Sequence, residues 1–373
     1  MRIGFDAKRA FFNKTGLGNY SRSVISGLAE FFPQNSYHLY SPRPERSKQF
    51  CDSSNCIISG PTGFFYKTLP SIWRTFGLSE LLKREKIDIY HGLTNELPAG
   101  IEKISIPSVV TIADLIFMTR PELYRPVDRI IYSKKVKYAV QIATNIITIS
   151  KKTAEDLVDL LSVDEAKVKV VYPGCDKAFW TPVGFGKRNE VIKKYGVPEE
   201  FILSVGTIEE RKNVLSIVKA IHENNIHIPL VVIGRPTAYL EQIKTYIGQN
   251  KIPDIYFLHN VTMDDLPCFY QQAKVFVYPS FYEGFGIPIL EALASMTPVI
   301  TSKGGCFAEA GGKESIYIDP SNTAEIAEAV KTLLNSNDLR CRIIEGGLNH
   351  AQQFKDEYIA RAYMKIYNSC IES

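Results

Sequence analysis

The chain has 373 residues, 45% of them hydrophobic and 23% charged, which excludes a disordered polyelectrolyte and supplies apolar material for two domain cores. Residues 1–180 carry 25 Lys and Arg against 18 Asp and Glu, whereas the remaining residues carry 19 against 22. The overall charge of +4 is too small to indicate a nucleic-acid partner, but the basic first half predicts an anionic partner there, such as a membrane surface or a phosphorylated substrate.

Short β-branched runs alternate with longer amphipathic stretches along the chain. Several runs are apolar without interruption, which is typical of parallel strands buried on both faces. The predicted strands are Arg2–Phe5, Tyr37–Tyr40, Asp88–His91, Ser108–Ile112, Asn145–Ile149 and Lys169–Tyr172, then Phe201–Val205, Leu230–Ile233, Ile255–Leu258, Lys274–Tyr278, Val299–Thr301 and Ser315–Ile318. The helices predicted between them include Tyr20–Phe31, Val214–Glu223 and Ala324–Asn335. Two successive sets of alternating strands and helices predict two doubly wound α/β domains.

A segment rich in Pro and Gly near the middle of the chain, residues 173–187, predicts a linker without helical structure. The predicted domains are therefore 1–172 and 188–350, followed by a C-terminal helix within 351–373. Because ligands of open parallel sheets bind outside the carboxyl ends of the strands, the default site is a cleft between the domains.

The opening segment lacks the apolar run of a signal peptide, and no window is apolar enough to predict a membrane span. The seven cysteines are scattered; only Cys51 and Cys56 lie close together, and no second pair completes a zinc site. We therefore expect a cytoplasmic protein with reduced thiols and no metal site.

Residues 279–300 carry the strongest chemical signal. A strand leads into a glycine-containing turn with Glu283, and a helix is predicted from Ile287 with Glu291 inside it. Free backbone amides at such a turn favour an anion, whereas the carboxylate of Glu283 could accept hydrogen bonds from sugar hydroxyls. The alternative is that Glu283 only caps the helix and Glu291 is a solvated helix residue.

A second signal lies in residues 201–220, where a buried strand ends at Gly206 and Arg211 and Lys212 open the next helix. Two adjacent cations could neutralise a diphosphate leaving group; the alternative is a solvated basic pair. Near the N-terminus, Gly16 and Gly18 precede a predicted helix, but Ser21 stands where a dinucleotide fingerprint has its third glycine. An ordinary strand–helix turn is the alternative there.

The run from Glu283 to Glu291, with its flanking residues, resembles the E-x7-E motif of retaining, nucleotide-sugar-dependent glycosyltransferases of the GT-B fold, family 4. The resemblance implies that Glu283 contacts the donor sugar and that Glu291 holds the ribose hydroxyls. It also implies that four backbone amides follow the sugar and diphosphate, those of Gly284, Phe285, Gly286 and Ile287. Arg211 and Lys212 match the family's phosphate-binding stretch, and the C-terminal helix matches one that crosses back to the first domain.

Other positions resemble the family with departures. Thr207 stands after Gly206 where many members have Arg, and Val261 lies in a loop that would meet the base. The loop with Gly16, Gly18 and Asn19 resembles one that closes near the donor phosphate and the acceptor, with Asn19 in an Arg position. Before Asp114, a candidate acceptor-side or loop-orienting group, many relatives have His; this chain has Ala113, a natural variant or an introduced substitution.

The resemblance implies a metal-independent, retaining hexosyltransferase with no cofactor. Likeness to bacterial surface-polysaccharide mannosyltransferases favours GDP-mannose as donor, with a UDP-hexose as the alternative. A glycoside hydrolase using Glu283 and Glu291 is a rival, but eight residues along a helix span ~12 Å, more than such carboxylate pairs allow. A nucleotide-sugar-binding, inactive partner subunit is a second rival. There is no D-x-D pair, and Asp264–Asp265 is interpreted as a helix start.

The acceptor is expected on the first domain, as an oligosaccharide or a lipid-diphosphate-linked glycan, with peripheral contact to the inner membrane and no nucleic acid. Aromatic residues and cations interleave over residues 64–76, and a second basic group follows on a predicted helix. Together they suit anionic lipid head groups; the alternative is a packed aromatic helix and a solvated basic face. The residues are Phe64, Phe65, Tyr66, Lys67, Trp73, Arg74 and Phe76, and Arg129, Lys134, Lys135 and Lys137.

Overall fold

A computed structural model describes residues 1–13, 15–47, 50 and 54–372. The chain divides into two compact units, which separate between Cys175 and Asp176 and again between Gln353 and Phe354. Unit 1 comprises the described part of residues 1–175 and 354–373, and unit 2 comprises residues 176–353. These divisions lie within a few residues of the predicted domain ends at 172 and 350.

The described part of unit 1 contains a parallel sheet of seven strands in the order β3-β2-β1-β4-β5-β6-β7. Its central strands are buried on both faces, as the uninterrupted apolar runs predict. The strands are β1 (Arg2–Asp6), β2 (Ser36–Tyr40), β3 (Cys56–Ser59), β4 (Ile89–Gly92), β5 (Ser108–Ile112), β6 (Asn145–Thr148) and β7 (Val168–Val170).

The helices of unit 1 cover this sheet, and the last of them comes from the C-terminus. They are α1 (Lys8–Phe12), α2 (Gly16–Phe31), α3 (Phe64–Thr68), α4 (Pro70–Ile72), α5 (Leu78–Arg84), α6 (Ile116–Thr119), α7 (Pro126–Ile142), α8 (Lys151–Leu161) and α17 (Asp356–Glu372), with a π-helical turn over Trp73–Gly77 between α4 and α5. One-turn 3₁₀ segments occupy Pro44–Arg46, Ile101–Lys103, Pro121–Leu123 and Glu165–Lys167.

Buried hydrogen bonds attach the C-terminal helix α17 to unit 1. The hydroxyl groups of Tyr363 and Tyr20 lie 2.6 Å apart. His91 on β4 bonds the Tyr367 hydroxyl through Nδ1 at 2.7 Å and the Thr111 hydroxyl through Nε2 at 2.8 Å. Burial lowers the pKa of His91 to about 3, so this histidine is neutral and structural.

The second sheet has the same doubly wound order, β10-β9-β8-β11-β12-β13, and all its pairings are parallel. Its strands are β8 (Ile202–Val205), β9 (Leu230–Ile233), β10 (Ile255–Leu258), β11 (Val275–Tyr278), β12 (Val299–Ser302) and β13 (Ile316–Ile318). Its helices are α9 (Phe185–Lys194), α10 (Val214–Glu223), α11 (Tyr239–Asn250), α12 (Leu266–Gln272), α13 (Ile287–Ala294), α14 (Phe307–Gly311), α15 (Thr323–Asn335) and α16 (Asn337–Ala351). The strands that carry predicted ligand-binding loops therefore end at one edge of this sheet.

The structure confirms all twelve predicted strands, and it differs from the sequence prediction at β3, at the start of α2 and in the linker. Strand β3 was not predicted, because it is a half-exposed edge strand without an apolar run. Helix α2 begins at Gly16 rather than Tyr20, because two glycines and an asparagine in its first turns are weak helix formers. The linker is not free of helix, since a 3₁₀ turn covers Lys177–Trp180 and α9 begins at Phe185.

Candidate active site

The turn between β11 and α13 holds the first predicted site residues. The helix begins at Ile287, as predicted, and Gly286 precedes it with φ +112°, a conformation that favours glycine. The buried thiol of Cys306 lies 3.2 Å from the carbonyl oxygens of both Glu283 and Phe285. These contacts fix the turn at the carboxyl end of β11 and place the predicted amide positions, which include Gly284, at the start of the helix.

Glu283 binds two cations in a buried cluster. Its Oε1 lies 2.5 Å from Lys212 Nζ, and its Oε2 lies 2.9 Å from Arg211 Nη1. The Tyr278 hydroxyl donates to Oε1 at 2.9 Å. Only 10% of the Glu283 side chain is exposed; burial alone would raise its pKa, but Lys212 and Arg211 outweigh burial and lower the pKa to about 2. Glu283 is therefore an ionised counter-ion and not a helix cap.

Arg211 and Lys212 lie in a 3₁₀ turn, Glu210–Lys212, and not in the helix that follows it. Asn213, with φ +57°, connects this turn to α10. Arg211 also donates to the carbonyl oxygen of Tyr282 and, at 2.7 Å, to Glu209 Oε1. The alternative of a solvated basic pair is wrong, because both cations are largely buried against carboxylates.

Burial also affects Lys212. It lowers the Lys212 pKa, while the neighbouring carboxylate of Glu283 opposes that shift. The Lys212 ammonium donates to the Tyr278 hydroxyl and lies 4.8 Å from the centre of that ring. Sequence reasoning missed Tyr278, although a tyrosine ending the strand before the motif was a usable signal.

Glu291 lies inside α13 and is buried, which contradicts the alternative of a solvated helix residue. The Tyr270 hydroxyl donates to Glu291 Oε2 at 2.7 Å. Burial raises the pKa of Glu291 to about 7, although the Tyr270 hydrogen bond opposes the shift. The argument from helical spacing against a carboxylate pair is wrong, because Glu283 precedes the helix. The two carboxylates differ in their partners. Glu283 pairs with two cations, whereas Glu291 accepts a hydrogen bond from the phenol of Tyr270.

The ends of the neighbouring strands bring further predicted residues to this edge of the unit 2 sheet. Gly206 follows β8, and a Cβ placed on it would lie 3.6 Å from Lys212 Cε. A Cβ on Gly234 would lie 1.7 Å from the Gly206 carbonyl oxygen, so position 234 requires glycine. Thr207 and Val261 are both partly buried in the loops after β8 and β10. The structure thus groups the predicted donor residues of unit 2 at one sheet edge.

The N-terminal glycines lie within α2 rather than before it, which corrects the predicted helix start. A Cβ on Gly18 would lie 1.8 Å from the Asn13 carbonyl oxygen, whereas a Cβ on Gly16 would meet no atom within 4 Å. Asn19 accepts a hydrogen bond from Arg22 through its side-chain oxygen. Lys14, in the same loop, lies outside the described residues.

Ala113 and Asp114 follow β5 in unit 1. The Ala113 N–H donates to Asn95 Oδ1 at 2.9 Å, and Asp114 Oδ1 accepts from the Ile116 N–H at 3.1 Å. Asp114 and Asn95 line a cavity of about 240 Å³ together with Leu17 of α2. The structure therefore brings the loop after β5 and the start of α2 together within unit 1.

Three of the aromatic and basic residues predicted for the acceptor side are buried or paired within unit 1. Trp73 is buried, and Arg74 pairs with Asp6 and, at 3.3 Å, with Glu96. Lys135 lies 3.0 Å from Glu96. Arg74 and Lys135 therefore both have carboxylate partners within unit 1.

The described residues contain no group of three His, Cys, Asp or Glu side chains that could hold a metal ion. Asp265 precedes α12, as interpreted from the sequence, and pairs with Lys194 at 2.7 Å. Six cysteines are free thiols, and Cys51 lies outside the described residues. In the described part of the chain, no helix has the length and apolar character to cross a bilayer.

Two family models match the chain. The model described as "Glycosyl transferases group 1" matches residues 187–350, and "Glycosyltransferase Family 4" matches residues 15–179. The chain belongs to the group 1 glycosyltransferases. Together the matches cover most of both units of this glycosyltransferase, and they confirm the family that the motif around Glu283 indicated.

Relatives and solved structures agree with that assignment. The O-antigen chain mannosyltransferase B of Escherichia coli is 27% identical over 389 residues, which cover 98% of this chain and 99% of the relative. Crystalline HepE from Anabaena in complex with UDP-glucose has a TM-score of 0.75 at 15% identity, covering 99% of this chain and 100% of that one. WaaG, a glycosyltransferase involved in lipopolysaccharide biosynthesis, has a TM-score of 0.72 at 16% identity over 98% of this chain and 99% of its own. These neighbours confirm the predicted GT-B fold class.

Proposed function

We propose that this glycosyltransferase is a retaining, metal-independent enzyme that transfers mannose from GDP-mannose to a glycan or lipid-linked glycan in surface-polysaccharide synthesis. The observation that carries the proposal is the buried cluster of Glu283, Arg211 and Lys212 at the carboxyl edge of the unit 2 sheet. The full-length similarity to an O-antigen mannosyltransferase supports mannose and the polysaccharide pathway.

The cluster suggests how the leaving group is stabilised. The Glu283 carboxylate pairs with both Arg211 and Lys212. A bound diphosphate would take over these cations, and Glu283 would turn to the hydroxyl groups of the sugar. Two preorganised cations stabilise the charge that develops on the departing diphosphate. Because they can do the task that a metal ion does elsewhere, we propose that the reaction needs no metal.

Retention of configuration is supported by the motif from Glu283 to Glu291, which resembles that of retaining enzymes. In the proposed step the bond from the sugar's anomeric carbon to the phosphate oxygen breaks, and the acceptor oxygen bonds that carbon on the same face. The acceptor proton passes to a phosphate oxygen of the leaving GDP.

Glu291 is proposed to accept hydrogen bonds from the ribose of the nucleotide. Its raised pKa means that the carboxylate form, the better acceptor, becomes dominant only above about pH 7. A UDP-hexose is the alternative donor, because structurally similar HepE was crystallised with UDP-glucose.

A donor screen tests the proposal. Binding of GDP-mannose, GDP-glucose, UDP-glucose and UDP-galactose is measured by calorimetry, and slow donor hydrolysis is followed by release of the nucleotide. GDP-mannose should bind most tightly, EDTA should not change turnover, and Glu283→Ala should abolish it. The anomeric configuration of the product, read by NMR, tests retention. Failure to bind any nucleotide sugar would refute the transferase proposal.

Ala113 favours a second candidate, a nucleotide-sugar-binding subunit without its own turnover, because an alanine side chain offers no hydrogen bond to a sugar. Ala113→His distinguishes the two. If the chain is an enzyme, wild-type protein turns over, and the variant changes the rate. If neither form turns over although both bind donor, the subunit is the correct assignment.

We propose further that the acceptor binds unit 1. We propose an oligosaccharide or a lipid-diphosphate-linked glycan as acceptor, and a cytoplasmic enzyme in peripheral contact with the inner membrane. The basic first half of the chain supports an anionic or lipid-linked acceptor.

A further inference from the structure

A cavity of about 240 Å³ lies in unit 1 beside the segments that follow three central strands. The chain leaves β1 toward β2 and leaves β4 toward β5, so the strand order of the sheet reverses between β1 and β4. Ligands of doubly wound sheets bind outside the carboxyl ends of the strands at such a reversal. The residues that line the cavity are Arg9, Leu17, Thr94, Asn95, Glu96, Asp114, Phe117, Tyr124, Tyr132, Lys135 and Val136.

Three aromatic rings line this space, which we call the aromatic cavity. The ring centres of Phe117 and Tyr132 are 5.8 Å apart, and the centre of Tyr124 lies 6.4 Å from each of them. Phe117 is buried, whereas Tyr132 is 39% exposed, so the Tyr132 ring is accessible to a ligand. The electron-rich face of an aromatic ring attracts the polarised C–H groups on the apolar face of a sugar ring.

Two polar side chains after β4 line the same cavity. The N–H of Asn95 donates to the Thr111 carbonyl oxygen at 2.8 Å, and its Oδ1 accepts from the Ala113 N–H at 2.9 Å. These bonds hold the side chain in place and leave its Nδ2 amide without an acceptor among the described residues. Thr94 is only 7% exposed, and its hydroxyl has no partner in the described part of the chain. Because an unpaired buried hydroxyl is costly, a ligand is expected to supply the missing hydrogen bond.

The charged side chains that line the aromatic cavity balance one another. They are two cations, Arg9 and Lys135, and two carboxylates, Glu96 and Asp114. Lys135 lies 3.0 Å from Glu96, so that pair is nearly neutral from outside. With equal numbers of opposite charges, the cavity has little net attraction for a phosphate. Its chemistry favours a neutral ligand that combines hydroxyl groups with an apolar face, and a pyranose ring has both.

We propose that the aromatic cavity binds a neutral pyranose of the acceptor, with the sugar ring stacked on Tyr132 and its hydroxyl groups bonded to Thr94 and Asn95. The acceptor is then an existing glycan that is recognised through a sugar residue, and not a sugar or polyol phosphate recognised through its anion. Pockets for drug-sized ligands have about 300–1,000 Å³, so a cavity of about 240 Å³ suits one sugar ring. The inference deepens the proposed function, on which it rests for the binding of the acceptor to unit 1.

Ligand-observed NMR titration without any nucleotide tests the proposal. The neutral probes are the methyl glycosides of mannose, glucose and N-acetylglucosamine, and the anionic probes are mannose 6-phosphate and inositol 1-phosphate. At least one neutral glycoside should bind wild-type protein, and more tightly than either phosphate. Raising the salt concentration from about 50 mM to about 500 mM, which screens exposed charges, should change the affinity for that glycoside less than about twofold.

Substitutions at Tyr132 and Thr94 separate stacking from hydrogen bonding. Tyr132→Leu removes the aromatic face and should weaken glycoside binding about tenfold, whereas Tyr132→Phe keeps the ring and should bind within about twofold of the wild type. Thr94→Val keeps the shape of the side chain and should weaken binding about fivefold. The matched control is Tyr358→Leu, which removes an exposed ring of α17 that does not line the cavity and should bind like the wild type.

Thermal unfolding checks that each variant is folded, and Thr94→Val tests the cavity independently if Tyr132→Leu does not fold. Three results would overturn the proposal: no neutral glycoside binds, Tyr132→Leu loses no more affinity than Tyr358→Leu, or a phosphate binds more tightly and Arg9→Gln abolishes its binding. The titration contains no nucleotide sugar, so its failure is distinguishable from failure of the donor screen.

Discussion

Replacing Glu283 with Gln separates two roles of this residue, counter-ion and sugar ligand. The substitution keeps the size of the side chain but removes the charge shared by Arg211 and Lys212. Lowering the pKa from 4.5 to about 2 corresponds to about 3 kcal/mol in favour of the ionised form. A diphosphate must displace this carboxylate from the two cations. The variant should therefore bind GDP more tightly, by at most about 100-fold.

Calorimetric titration of GDP and of inorganic pyrophosphate measures this effect, and release of GDP from GDP-mannose measures turnover. Glu283→Gln should bind both anions more tightly than wild type and yet turn over at least about 100-fold more slowly, because the sugar has lost its carboxylate ligand. Glu209→Gln is the matched control: Glu209 also pairs with Arg211, at 2.7 Å, but is more exposed, so its loss should change GDP affinity by less than about fivefold.

Two results would refute this reasoning. If Glu283→Gln binds GDP no more tightly than wild type, the carboxylate does not compete with the diphosphate for Arg211 and Lys212. If the variant turns over normally, Glu283 does not act on the sugar. The same pKa predicts that the folded chain loses stability in acid. Because the Glu283 pKa is depressed in the folded chain, the contribution of Glu283 to the free energy of unfolding is complete above about pH 4.5 and is lost as the pH falls toward 2.

Further predictions concern Glu291 and the start of α2. Because the folded pKa of Glu291 is raised to about 7, the free energy of unfolding of unit 2 should fall as the pH rises from 4.5 through 7, and Glu291→Gln should remove that slope in urea titrations at several pH values. Tyr270→Phe removes a hydrogen bond that lowers this pKa, so the rise of GDP affinity with pH, followed by calorimetry, should move to higher pH. Gly18→Ala should lower the melting temperature by several degrees, since its Cβ would collide with the Asn13 carbonyl oxygen. Gly16→Ala, where the Cβ has open space, should leave the melting temperature unchanged or raise it slightly.

The fold was predictable because its strands are buried on both faces. A strand such as β9, with the sequence LVVI, is apolar at every position, and this composition predicts a parallel strand that is buried on both faces. Strand β3 was missed for the corresponding reason, since Ile57 at this sheet edge is exposed and the pattern weakens. The start of α2 was misplaced because local propensity disfavours Gly16 and Gly18, whereas the close approach of Gly18 to the Asn13 carbonyl selects glycine inside the helix.

The site was predictable as a set of residues but not as a set of contacts. The motif around Glu283 and the pair Arg211–Lys212 each have a local signature, yet Lys212 and Glu283 are 71 residues apart, and no local pattern encodes their pairing. For the same reason the sequence left open that Glu291 is a solvated helix residue, because its partner Tyr270 lies on another helix. Burial of a polar residue depends on what packs over it, which is a property of the fold and not of the helix that carries it.

The uneven charge of the two halves becomes informative only when paired cations are subtracted. In unit 2, Arg211 and Lys212 are positive in a half of the chain with a negative balance, and the carboxylate of Glu283 pairs with both of them. In unit 1, Lys135 has a carboxylate partner, whereas Lys134, its neighbour on α7, has none among the described residues. A cation that already has a buried partner adds little to the attraction of a distant anion, because the pair is nearly neutral from outside. The anionic partner predicted from the charge of the first half is therefore expected where unpaired cations lie next to exposed apolar side chains, as Lys134 and Ile130 do on α7.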